Sequence, residues 1–92
     1  DARLFPNPAS KAEGVRLSFL SSWSGQAEIQ IVDAVGRIVG NESLSLNPSI
    51  SQGQTVELSL GSYSPGTYTC HLRVKSHNGE VQSRTLPFII KN

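Results

Sequence analysis

Cys70 and His71 are adjacent, and a thiol beside an imidazole is the pairing from which cysteine nucleophiles are built. The residues around them decide against that reading. Tyr68, Cys70, Leu72 and Val74 alternate with Thr69, His71, Arg73 and Lys75, and a two-residue period is that of a strand. Neighbours on a strand point to opposite faces, so Cys70 joins the apolar set and His71 the polar one. A free cysteine in an apolar face packs as a small hydrophobe and is inert. His71 and His77 are the only histidines, and no Cys or carboxylate cluster stands around them at metal-ligand spacing, so both are read as surface residues. There is no Gly-x-Ser-x-Gly elbow and no glycine-rich phosphate loop. Asp33 reads as the first residue of a turn rather than a catalytic acid. The chain is thus expected to be no enzyme and to carry no catalytic residue, metal or cofactor. Two weaker signals remain. Trp23, Tyr63 and Tyr68 could form a sugar-stacking platform, although Tyr68 falls on a core face, and Asn41-Glu42-Ser43 matches a glycosylation sequon.

Composition narrows the class further. The chain has 92 residues, enough for one thin core and little room for a deep cleft. Its 37% hydrophobic and 16% charged content is too apolar and too weakly charged for a disordered segment. The net charge is +1 with the basic residues scattered, which argues against nucleic acid and against a charged membrane surface as partners. The single cysteine excludes an internal disulfide, and no apolar run approaches the roughly 20 residues of a membrane-spanning helix. With no Met and an opening on Asp1, the chain reads as a piece of a longer precursor.

Strand alternation recurs along the chain. Val15, Leu17 and Phe19 share a face; Ala27, Ile29 and Ile31 alternate with Glu28 and Gln30; Val56, Leu58 and Leu60 alternate with Glu57 and Ser59. Leu44 and Leu46 follow Ile38 and Val39, and a last run spans Glu80 to Ile90. With a strand near Arg3–Phe5 these make about seven. Turn chemistry separates them. Asp33-Ala34-Val35-Gly36 suits a type I turn closed by Gly36 at positive φ, Ser64-Pro65-Gly66-Thr67 a type II turn, and His77-Asn78-Gly79-Glu80 a hairpin. Asn47-Pro48-Ser49 and Ser51-Gln52-Gly53 make a longer loop, and no helix longer than a turn is predicted. Pro87 interrupts the last strand and points to a sheet edge or a bulge. Phe5-Pro6-Asn7-Pro8 is held extended, as the entry from an upstream linker over residues 1–9 of a single domain, 1–92.

Four of these stretches together resemble one family. Leu4-Phe5-Pro6-Asn7-Pro8-Ala9, the strand that runs into Asp33-Ala34-Val35-Gly36-Arg37, the run Leu58-Ser59-Leu60 before Ser64-Pro65-Gly66-Thr67-Tyr68, and the ending Phe88-Ile89-Ile90-Lys91 stand in the order found in C-terminal sorting domains of the bacterial type IX secretion system. The chain departs from that pattern in having Tyr63-Ser64 before Pro65-Gly66, and Pro87 in its last strand. The resemblance implies an immunoglobulin-like β-sandwich of Greek-key type with antiparallel strands, at the end of an exported cargo. It also implies recognition by the type IX translocon, removal by a sortase-like peptidase, and joining of the cargo to an anionic lipopolysaccharide. The setting it implies is the outer-membrane surface, or the medium, of a Bacteroidetes-type bacterium. The matching positions Pro6, Asn7, Pro8, Asp33, Gly36, Arg37, Pro65, Gly66 and Tyr68 belong to turns or core, so recognition is placed on the last strand instead. The recognition set there is Arg84, Leu86, Phe88, Ile89, Ile90, Lys91 and Asn92, in which Ile89 and Ile90 would supply apolar contact and Arg84 and Lys91 orientation. Alternatives are an uncleaved tail or an accessory carbohydrate- or protein-binding module. Exposed edges also allow a strand-exchanged dimer.

Overall fold

The computed structural model describes residues 2–19, 25–46, 54–76 and 78–91. Seven strands run through them: β1 (Ala2–Ser10), β2 (Gly14–Phe19), β3 (Gly25–Val32), β4 (Ile38–Leu46), β5 (Gln54–Leu58), β6 (Gly66–Ser76) and β7 (Val81–Lys91). The described residues hold no helix, and the expected all-β class holds. Trp23, His77, Asn92 and the predicted loop over 47–53 lie outside the described residues.

The sequence reads as a sandwich of antiparallel strands. The backbone forms one mixed sheet, in the order β4-β3-β6-β7-β1-β2-β5. The reason lies in β1. Its first half, Ala2 to Phe5, pairs antiparallel with Phe19 to Arg16 of β2. The register then shifts, and Ala9 and Ser10 pair parallel with Ile90 and Lys91 of β7. The segment read as a linker entry is therefore a strand that joins the two halves of the sheet.

Alternate residues of the strands enter one core. Val15, Leu17 and Phe19 of β2, Ala27, Ile29 and Ile31 of β3, and Phe88 and Ile90 of β7 are all at most 3% exposed. A sheet face reaches that burial only when something covers it, and no described helix does so. The sheet therefore curves on itself, and buried residues of all seven strands share one core. Cys70 is fully buried and its thiol is pushed up to about 11 by desolvation, while His71 on the next position is exposed. Strand geometry has separated the two members of the candidate dyad.

Two hairpins share one design. In the β3–β4 connection the Gly36 N–H donates to the Asp33 carbonyl at 3.1 Å and the Asp33 N–H to the Arg37 carbonyl at 2.9 Å. In the β6–β7 connection Gly79 donates to Ser76 at 3.1 Å and Ser76 to Glu80 at 2.9 Å. The fourth residue of each takes positive φ, 92° at Gly36 and 91° at Gly79, where a side chain would be strained. The turn expected to be centred on Asn78-Gly79 thus starts one residue earlier, at Ser76. The first residue of each loop also organises it by side chain: Asp33 Oδ1 accepts from the Arg37 N–H at 2.9 Å, and Ser76 Oγ from the Glu80 N–H at 3.1 Å.

The predicted type II turn at Ser64–Thr67 does not form. The bonded turn lies earlier, with the Tyr63 N–H donating to the Leu60 carbonyl at 3.1 Å, and Gly66 opens β6 with φ 155° rather than the roughly +80° of a type II turn. The Ser64 carbonyl, which such a turn would offer to Thr67, is taken by the Tyr68 hydroxyl at 2.6 Å.

Asp33 also accepts from the Val35 N–H at 3.1 Å and from Arg37 Nε at 3.0 Å. The backbone N–H of Arg37 is the main cause that holds its carboxyl below the ordinary range, with the guanidinium and Val35 adding to it. A lowered folded-state pKa stabilises the fold in full above the unfolded value, about pH 4, and loses that stabilisation as pH falls through the folded value. Asp33→Ala should therefore melt below the parent at neutral pH, with the gap closing in strongly acid solution. A gap that stays constant across that range would contradict this.

Candidate recognition surface

The family-like positions hold the fold together. Asn7 stands between two prolines in the bulged middle of β1, and the Phe5–Pro6 and Asn7–Pro8 bonds are both cis. Its Oδ1 accepts from the Ile89 N–H at 3.1 Å, and its Nδ2 lies 3.4 Å from the Pro87 carbonyl, a longer and weaker contact. The Ile89 N–H can only donate, which fixes the orientation of the amide. In a parallel ladder one residue bonds the carbonyl before and the N–H after its partner. The Asn7 side chain does both around Phe88, two residues back on each strand from the Ala9–Ile90 pair. It continues the β1–β7 ladder where flanking prolines deprive the main chain of donors.

Beside it, Phe5 is half-buried, with the guanidinium carbons of Arg3 and Arg16 at 5.6 and 5.0 Å from the ring centre. The second cluster is aromatic. Tyr68 stacks on Tyr63 at 5.7 Å and meets Phe88 at 5.8 Å, and its hydroxyl bonds back to Ser64. A buried tyrosine bonded to the backbone just upstream of its strand is the arrangement called a tyrosine corner in immunoglobulin-like sandwiches. Desolvation, and then the charge of Glu42, raises the Tyr63 pKa. Tyr63 and Tyr68 present their faces to each other, and Tyr68 is only 7% exposed, so the two do not form the sugar platform considered from sequence.

The last strand divides the residues assigned to recognition. Phe88 and Ile90 are 1% exposed and belong to the core, and Leu86 is half-buried. Ile89, 49% exposed, and Lys91 face outward with Pro87. Arg84 is exposed on the other face, five residues from Ile89, and its Nη1 donates to the Ser83 carbonyl at 2.9 Å. These side chains do not converge on one patch. What gathers around Ile89 comes from elsewhere in the sequence. Pro87 lies across from Thr69, Thr69 from Val32, and Val32 from Ile38, giving a row over the outer face that is apolar except for Thr69, with Val32 and Thr69 half-buried and Ile38 58% exposed. Ile38 and Pro87 are far apart in sequence, and only the strand registers bring them onto one row.

The edge expected at Pro87 is also displaced. Ile89 donates to Asn7 rather than to β6, and residues two apart on a strand direct their backbone groups to the same side. The missing N–H of Pro87 therefore lies on the side away from β6, where no ladder bond is broken. Beyond it, Ile90 is paired with both β6 and β1, and Lys91 with β1. The free stretch of β7 is the part before Pro87.

A family model for the secretion system C-terminal sorting domain matches residues 3–87. The match covers most of the chain, and the chain belongs to that family. Its members serve type IX secretion as sorting domains, which implies engagement with that machinery and export to the cell surface or beyond, and the family is not one of enzymes. The crystal structure of CopC from Methylosinus trichosporium OB3b is similar in fold, with a TM-score of 0.62 at 20% identity over 99% of this chain and 89% of that one. No curated protein sequence matches the chain. Among the described residues no group of three or more His, Cys, Asp and Glu side chains is placed to hold a metal ion.

The two bonded clusters predict the effect of their loss. Tyr68→Phe and Asn7→Ala should each destabilise the domain by about 1 kcal/mol, lowering Tm by roughly 4–8 °C. Urea and thermal melts measure this, and a variant that melts with the parent would remove that bond from the set holding the fold.

Proposed function

We propose that this domain is the address by which a cargo protein is carried through the type IX machinery to the outer-membrane surface. The observation that carries the reading is the family match over residues 3–87, which spans three of the four stretches that resemble the family and most of the fold. The translocon recognises the folded domain, and a sortase-like peptidase then removes it and joins the cargo to anionic lipopolysaccharide. The outward side of the terminal strand, Ile89 and Lys91, together with the row through Pro87, Val32 and Ile38, is the contact surface. An exposed, largely apolar row on a small domain suits a protein partner. Phe88 and Ile90 act only by holding that strand in the core.

The core role of these two residues shapes the test. Truncating the terminal strand would unfold the domain, so exposed positions must be altered instead. A reporter with a periplasmic leader is fused ahead of the domain and expressed in a bacterium that has the type IX translocon and in a strain that lacks it. The reporter should leave the cell only in the first. The double variant Ile89→Asp with Lys91→Glu should keep its Tm and lower export severalfold. Equal export in both strains would refute the reading, and full export of the double variant would refute the surface.

A further inference from the structure

The open part of β7 offers a second way to bind. Along β7 the ladder with β6 is unbroken from Lys75–Val81 to Gly66–Ile90. On the other side, β1 reaches only Ile90 and Lys91, and the Asn7 side chain serves Pro87 and Ile89. The parity that turns the Ile89 N–H outward also turns outward the N–H and C=O groups of Val81, Ser83 and Thr85. Among the described residues no strand pairs with them, and every residue from Val81 to Thr85 is exposed. Such a row is a template for an added strand. Pro87 and Asn7 close it at one end and the Ser76–Glu80 turn at the other.

We propose that the edge from Val81 to Thr85 accepts an extended, acidic segment of a partner protein as an added strand. This inference rests on reading the chain as a sorting domain and names the chemistry of one of its partners. Arg84 selects the occupant. Its guanidinium donates to the Ser83 carbonyl, one of the outward acceptors, and so lies over the edge that the new strand must use. A carboxylate on the incoming segment pairs with Arg84 and frees that acceptor, whereas an apolar segment leaves it covered. Arg73 and Lys75 stand on β6 opposite Ser83 and Val81, with Glu28 of β3 opposite Arg73 and Glu80 just before β7. A second copy of this chain is the wrong occupant. Two-fold antiparallel pairing over so short a stretch puts the two Arg84 side chains opposite or diagonal to each other, and like charges there destabilise. Of the two outermost strands, β4 carries Glu42 on its inner side, across from Ile29, an inward charge that discourages pairing.

The test uses the same reporter fusion and adds two changes to the domain. Ser83→Pro with Thr85→Pro removes two outward donors and leaves the β6 ladder intact, as Pro87 already does in the native chain. Arg84→Glu reverses the selecting charge without touching the backbone. Each should lower export about tenfold or more, the scale of one or two lost backbone bonds or a lost charged pair, while Tm stays near the parent's. A folded double-proline domain that exports like the parent overturns strand addition. Full export of Arg84→Glu overturns the acidic occupant, and it alone decides if the double-proline domain does not fold. A parent fusion that never leaves the cell overturns the sorting reading itself, and the inference with it.

Discussion

Everything in this fold passes through a change of partner in the first strand. β1 begins beside β2 and ends beside β7, so the two halves of the sheet are bonded through one short segment. A domain of 92 residues buries a limited share of its surface, and each half alone would leave its apolar face in water. The core exists because β1 holds the halves face to face. The weak point is the crossover, where Pro6 and Pro8 supply no N–H. The carboxamide of Asn7 fills that gap by bonding β7 as a residue of a parallel strand would. Three adjacent residues thus explain why a proline-rich opening and a distant terminal strand are parts of one device.

The other family-like residues divide along the same line between architecture and recognition. Asp33, Gly36 and Arg37 build a hairpin in which the carboxylate accepts from two backbone N–H groups and one guanidinium. Pro65 and Gly66 lead into β6, and Tyr68 locks the corner to Ser64 while stacking between Tyr63 and Phe88. None of these presents a free reactive group. What they hold in place is an outer face and an open strand edge, and those are the surfaces another protein can meet.

Much of this was legible in the residues. Period-two alternation placed Cys70, Tyr68 and Leu72 inside and His71 outside, because strand geometry decides faces locally. The Asp33–Gly36 hairpin was equally local. The bridge from Asn7 to β7 was not, since it spans about the whole chain and is made by a side chain standing in for main chain. The Ser64–Thr67 turn misled because Pro-Gly suits a type II turn by itself, while the competing hydroxyl comes from the following strand. Pro87 suggested an edge or a bulge, yet β7 lies between β6 and β1, and only the Ile89 bond tells which of its sides is open and that the opening lies before the proline.

Native-state amide hydrogen exchange reads the central claim, that Asn7 extends the β1–β7 ladder and leaves the earlier edge open. The amide of Ile89 should be protected in the parent and exchange fast in Asn7→Ala, while the amides of Ser83 and Thr85 exchange fast in both and those of Gln82 and Arg84 stay protected. An Ile89 amide that exchanges freely in the parent, or Ser83 and Thr85 amides as protected as their even-numbered neighbours, would contradict it.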